Sequence, residues 1–119
     1  MNIKIPTTPR RYFRQVLEII KPIPPLNTLR NKELDVLAEF LYYNYKYAKL
    51  DKDVRSKVLF DYDTKLEMRE HLNMDEQSFN NHLTSLRKKN ILSKRRVEND
   101  FGIHPDTPMV TFNFVWTDE

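Results

Sequence analysis

The sequence contains no cysteine and, among its 119 residues, a single glycine at Gly102. The lack of cysteine excludes disulfides, thiol nucleophiles and cysteine-ligated zinc. One glycine is too few for phosphate-binding loops, dinucleotide-binding glycine motifs or nucleophile elbows, each of which needs several. The sequence also lacks an apolar run long enough for a signal peptide or a membrane span. We therefore expect a cytoplasmic protein without membrane contact.

Candidate catalytic and metal-binding groups are also sparse. The three histidines are His71, His82 and His104. No two of them stand at ligand spacing, so a zinc site is not expected. Asp51 and Asp53, like Asp61 and Asp63, are two residues apart, which suits helix caps and turns better than a metal pair. We therefore predict no metal, no cofactor and no enzymatic activity.

The sequence does contain enough apolar material for one folded domain. Hydrophobic residues make up 39% and aromatic residues 12%, which excludes a disordered chain. Residues 1–27 are predicted to form an extended arm and a short helix. Pro6 and Pro9 exclude a helix in residues 1–10, the apolar spacing predicts one at 11–20, and Pro22, Pro24 and Pro25 end it. Residues 28–119 are the predicted main domain.

A long amphipathic helix is predicted at residues 32–47, with two apolar stripes at helical spacing. The first stripe is Leu34, Leu37, Ala38, Leu41 and Tyr45, and the second is Val36, Phe40, Tyr43 and Tyr47. A helix that is apolar on two sides either is the centre of the core, covered by the N-terminal helix, or is covered by a partner. Residues 11–20 and 32–47 are therefore also the candidate surface for a homodimer.

Residues 50–92 predict a connector followed by two further helices. Residues 58–60 are typical of a short strand, after which a helix begins. Asn73 tolerates the left-handed conformation that ends helices, and Asp75 is a suitable N-cap for the next helix. That helix ends near Asn90, which tolerates the same left-handed conformation.

The C-terminal segment changes its period. Residues 110–116 alternate in the manner of a strand, and residues 93–97 are the predicted partner strand of a β-hairpin. Trp116 is expected to pack as a plug in the core. The predicted fold is therefore mainly α-helical with a small β-hairpin, an α+β class.

One stretch of this pattern carries a family resemblance. Residues 64–92 read TKLEMREHLNMDEQSFNNHLTSLRKKNIL, with apolar side chains at Met68, Leu72, Met74, Phe79, Leu83, Leu86, Ile91 and Leu92. The stretch resembles the winged helix-turn-helix family of DNA-binding proteins, except that the family usually has glycine where this chain has Asn73 and Asn90. The resemblance implies a winged helix-turn-helix with an extra N-terminal helix and an extended arm. Residues 50–92 also resemble small winged-helix proteins of large tailed bacteriophages, which would place the protein in the host cytoplasm.

The helix after Asp75 has two distinct faces. At 100° per residue, Phe79, Leu83 and Leu86 fall within about 60° of each other and would face the core. The opposite side is short and polar, and its side chains can hydrogen-bond to bases or phosphates. The predicted DNA-reading residues are Gln77, Ser78, Asn80, Asn81, Thr84 and Ser85. An ordinary solvated polar face is the alternative interpretation.

The formal net charge of +3 conceals two basic patches without acidic residues. The first patch consists of Arg87, Lys88, Lys89, Lys94, Arg95 and Arg96, and the second consists of Lys4, Arg10, Arg11 and Arg14. We predict contacts with DNA phosphates from the first patch and, in the second, from Arg10 and Arg11. The alternative is a charged surface that is merely solvated.

Two functions are consistent with these patterns. The first is a double-stranded DNA-binding protein, a small transcriptional regulator, with its third helix in the major groove and its wing and N-terminal arm on the phosphate backbone. The second is a winged-helix protein-interaction module in a larger phage or polymerase-associated assembly. Either function is compatible with a homodimer or a protein partner bound through the N-terminal arm and the helices at 11–20 and 32–47.

Overall fold

The computed structural model describes residues 3–93, 96–98, 100–103, 105–106 and 114–116, and α-helices dominate these parts of the chain. The helices are α1 (Pro9–Ile20), α2 (Asn31–Lys46), α3 (Lys52–Leu59), α4 (Tyr62–Leu72) and α5 (Glu76–Lys88). A short 3₁₀ turn, Leu26–Thr28, separates α1 from α2.

Helix α2 is the centre of the fold, as its two apolar stripes predict. It packs against α1, α3, α4 and α5, and Leu34, Leu37 and Phe40 are completely buried. Helix α1 lies antiparallel to α2, because Arg14 near its middle pairs with Asp35 and Lys21 after its end donates to Asn31. The apolar faces of residues 11–20 and 32–47, which were the candidate dimer surface, therefore pack largely on each other within one chain.

The polar residues at the helix ends behave largely as their chemistry predicts. Asn73 and Asn90 have φ angles of 52° and 61°, so both adopt the left-handed conformation. Asp75 caps α5 by accepting a hydrogen bond from the backbone N–H of Ser78 at 2.7 Å. Helix α1 starts two residues earlier than predicted, because Pro9 occupies its first turn, where a missing N–H costs nothing.

The predicted β-hairpin, and with it the winged-helix fold class, is wrong for the described part of the chain. Those residues contain no strand, and an isolated antiparallel bridge joins Leu92 to Val97. The Ser93 N–H donates to the Arg96 carbonyl and the Glu98 N–H donates to the Ile91 carbonyl, each at 3.0 Å. The chain therefore reverses within the predicted first strand, residues 93–97, and that segment closes on itself and does not extend as a partner for residues 110–116. Residues 107–113, which include most of the second predicted strand, lie outside the described residues.

Phe114 and Trp116, the aromatic residues that the structure describes near the C-terminus, do not fill the core either. Phe114 is 97% exposed and Trp116 is 100% exposed, so the predicted core plug is wrong. In the described part of the chain after α5, the buried apolar residues are Ile91, Leu92 and Ile103.

The short strand predicted at residues 58–60 is also wrong, because α3 continues through Leu59. The helical conformation places Leu59 in the core, where it is 1% exposed, and the ring of Phe60 packs 5.0 Å from that of Phe40. Tertiary packing here outweighs the local preference of a short apolar run for strand.

Candidate nucleic-acid interface

Helices α4 and α5 are joined by a turn of three residues. Hydrogen bonds at the end of α4 and at the start of α5 define the conformation of this turn. At the end of α4, the left-handed Asn73 lets the Met74 N–H reach back to the Arg69 carbonyl at 2.9 Å. At the start of α5, the carboxylate of Asp75 caps the helix. Helix α4, a three-residue turn and helix α5 therefore follow one another directly along the chain.

The inner face of α5 packs on α2. Phe79, Leu83 and Leu86 are all buried, with exposed fractions of 2% or less. The ring of Phe79 stacks on that of Phe40, with centroids 6.2 Å apart and an interplanar angle of 17°. This packing fixes which side of α5 faces outward.

The outward side carries a continuous stripe, which we call the outer stripe. It consists of Gln77, Asn80, Asn81, Thr84 and Lys88, and all five side chains are exposed. Thr84 donates its hydroxyl hydrogen to the Asn80 carbonyl at 3.0 Å. Among the described residues, the side-chain amides of Gln77, Asn80 and Asn81 have no protein partner, so they are available to a ligand.

Two of the predicted DNA contacts turn inward instead. The Ser85 hydroxyl donates to Oε2 of Glu33 at 2.7 Å, and Nζ of Lys89 lies 3.0 Å from the same oxygen. Lys89 also donates to the Thr28 carbonyl at 2.9 Å. Both side chains therefore hold the C-terminal end of α5 against the start of α2.

Glu33 is completely buried at the centre of this network. Burial alone would raise the pKa of its carboxyl group, but hydrogen bonds from Ser85, Lys89 and the Arg30 backbone outweigh burial and lower the pKa to about 2. Glu33 was not among the predicted site residues. The available signal was a glutamate three positions after Arg30 at a helix start, which is the position of a capping-box acceptor.

The remaining residues of the first basic patch are divided. Nε of Arg87 donates to the Ser93 carbonyl at 3.4 Å, and its guanidinium lies 6.0 Å from the centre of the Phe60 ring. Arg96 is exposed and pairs with Glu98 at 3.0 Å. Lys94 and Arg95 lie outside the described residues.

Ser78, one of the predicted DNA-reading residues, is half-buried in the first turn of α5, beside the cap.

In the second basic patch, the structure separates Arg10 from Arg11. Arg10 pairs with buried Glu39 at 2.6 Å, and its guanidinium lies 5.0 Å from the centre of the Tyr42 ring. Arg11 is exposed. Burial raises the pKa of Glu39, although the charges of Arg10 and His71 oppose that shift. Nδ1 of His71, near the end of α4, lies 3.2 Å from the same Glu39 carboxylate. Because Arg10 and His71 share this partner, the start of α1 lies beside the end of α4.

Other types of site find little support in the described part of the chain. No cluster of three or more histidine or acidic side chains there could hold a metal ion. None of the described helices combines the length and apolar character needed to cross a bilayer.

No protein-family model, curated protein or solved structure matches this chain, so similarity indicates neither a family nor a function.

Proposed function

We propose that this protein binds double-stranded DNA and acts as a small transcriptional regulator, with α5 inserted in the major groove. The outer stripe of α5 is the single observation that carries the proposal. It presents three exposed carboxamides, which have no partner among the described residues, and one exposed lysine, on a helix whose other side packs on α2. Carboxamides can hydrogen-bond to base edges, and a helix fits the width of the major groove.

The contacts that hold α5 in place are consistent with a helix that recognises DNA bases. Phe79 and Leu83 fix its rotation about its own axis, and Ser85 and Lys89 hold its C-terminal end through Glu33. A rigid helix loses little conformational freedom on binding, which favours affinity. The β-hairpin wing is not part of this proposal. On the protein's other basic patch, exposed Arg11 is the residue we assign to the phosphate backbone.

A protein-interaction module is the second candidate function, and different observations favour it. Ile3 and Ile5 in the N-terminal arm are 72% and 55% exposed, and Trp116 is fully exposed. A cleft of about 1580 Å³ also opens between α2, α3 and the segment that ends at Ile103. Exposed apolar side chains are typical of surfaces that bind another protein, and a cleft can accept part of such a partner.

Titration with a random-sequence duplex, followed by fluorescence anisotropy at low and moderate salt, separates the two candidates. DNA binding predicts a dissociation constant of about 1–100 μM that weakens steeply as salt rises. Failure to bind at low salt would eliminate the DNA proposal and leave the interaction module.

Matched lysine variants show whether α5 is the surface involved. Lys88→Ala should weaken binding to all sequences and flatten the salt dependence, because one phosphate contact is lost. Lys49→Ala removes the same charge from an exposed position beyond the opposite end of α2 and should bind as the wild type does. Equal binding by both variants would show that the outer stripe is not the contact surface.

A further inference from the structure

The outer stripe has a chemical bias that goes beyond DNA binding in general. Its base-reading groups are the carboxamides of Gln77, Asn80 and Asn81, each of which offers one hydrogen-bond acceptor and a donor side by side. Adenine presents the matching pair in the major groove, because N7 accepts and the N6 amino group donates. Guanine presents two acceptors, which match a double donor such as arginine.

The arginine of α5 is not available for guanine. Arg87 is directed toward the Ser93 carbonyl and the Phe60 ring, away from the outer stripe. Lys88 is the one cation of the stripe, and it stands in the last turn of α5, where side chains reach phosphates more readily than bases.

The nearby acidic residues lie at the edge of the outer stripe. A carboxylate can accept from the cytosine N4 amino group. Glu76 is exposed next to Asn80, but it lies about 100° around the helix axis from the centre of the stripe, at 100° per residue. One oxygen of Asp75 accepts from the Ser78 N–H and so is directed toward the helix end.

Thr84 adds to the same bias. Its hydroxyl hydrogen is donated to the Asn80 carbonyl, so toward a ligand its oxygen can only accept, while its methyl group offers an apolar contact. Thymine is the base that carries a methyl group in the major groove. The three carboxamides also span about 6 Å of helix, at 1.5 Å per residue, which is roughly the spacing of two base-pair steps.

We propose that α5 selects short runs of A·T base pairs by hydrogen-bonding to adenine N6 and N7 in the major groove through Gln77, Asn80 and Asn81. This inference rests on the proposed DNA-binding function. It names the class of base pair that the outer stripe recognises.

The test compares alternating A·T and alternating G·C duplexes of equal length, at one salt concentration, by competition anisotropy. We expect at least tenfold tighter binding to the A·T duplex. Replacing adenine by 7-deazaadenine removes the N7 acceptor but leaves the minor groove and the backbone charge unchanged, so the preference should disappear. Replacing guanine by 7-deazaguanine is the matched control and should change nothing.

The protein side of the test uses the double variant Asn80→Ala, Asn81→Ala. It should keep salt-dependent binding but lose the A·T preference, while Asn27→Ala, at an exposed asparagine outside α5, should keep it. Equal affinity for both duplexes would overturn the inference and leave the DNA-binding proposal standing. A preference that survives 7-deazaadenine would also overturn it, because the minor groove would then be the surface read. No binding to either duplex would overturn the proposed function as well.

Discussion

Nζ of Lys89 lies 3.0 Å from the completely buried carboxylate of Glu33, while the preceding Lys88 is exposed on the outer stripe. Two adjacent lysines therefore have opposite surroundings. One neutralises a buried charge that ties α5 to α2, and the other is free for a ligand. The basic patch that is continuous in the sequence is thus partly a structural element and partly a surface.

The first prediction separates stability from binding at these two positions. Lys89→Ala should lower the free energy of unfolding by about 2 kcal/mol, because the buried Glu33 loses a charged hydrogen bond. Lys88→Ala should change it by less than about 0.5 kcal/mol, as expected for an exposed side chain. Urea unfolding of both variants measures the difference, and equal destabilisation would contradict the assigned role of Lys89.

The second prediction concerns pH and follows from the lowered pKa of Glu33. Its folded-state pKa of about 2 lies below the ordinary value of 4.5, so its contribution is complete above that ordinary value and is lost as pH falls toward 2. Between pH 6 and pH 3 the loss should be about 2 kcal/mol. Glu33→Gln cannot show this loss. The difference in unfolding free energy between wild type and variant should therefore narrow over that range, and a constant difference would contradict the shift.

The third prediction tests the turn between α4 and α5. Asn73 has a φ of 52°, so Asn73→Ala should destabilise the protein by about 1 kcal/mol, whereas Asn73→Gly should be neutral or stabilising. The matched control is Asn80→Gly within α5, which should be destabilising because glycine is the poorer helix former. Thermal unfolding measures all three variants. A loss of stability in Asn73→Gly equal to that in Asn73→Ala would argue against the left-handed turn.

The fourth prediction uses Trp116, the single tryptophan of the chain. Because its side chain is fully exposed, the emission maximum should match that of N-acetyltryptophanamide in the same buffer and should not move when urea unfolds the protein. Iodide should quench the emission as efficiently as it quenches the free compound. A blue-shifted maximum that moves on unfolding would show that Trp116 is packed in solution.

Much of the helical framework could be predicted from local signals. The apolar spacing indicated α1, α2 and α5, and the chemistry of Asn73, Asp75 and Asn90 indicated where helices end or begin. These features depend on residues three or four positions apart, so a single stretch of chain contains the information. The inner and outer faces of α5 follow from the same periodicity.

The hairpin could not be predicted from its alternating pattern alone. A strand exists only if a partner at the right register accepts its hydrogen bonds, and the chain at residues 92–97 reverses after one bridge. The strand prediction at residues 58–60 was wrong for a related reason. The core position of Leu59 favours helix over strand there.

The sequence by itself determined helices α1, α2, α4 and α5, the turn before α5 and the polar chemistry of the outer stripe, because these depend on short-range spacing. Only the tertiary structure decided which basic side chains are available to a ligand. Ser85 and Lys89 turn inward because Glu33, more than fifty residues earlier in the chain, is buried beside them. Arg10 is likewise engaged by Glu39. Such pairings are set by how α2 packs against its neighbours, and charge patterns along the chain do not contain that information.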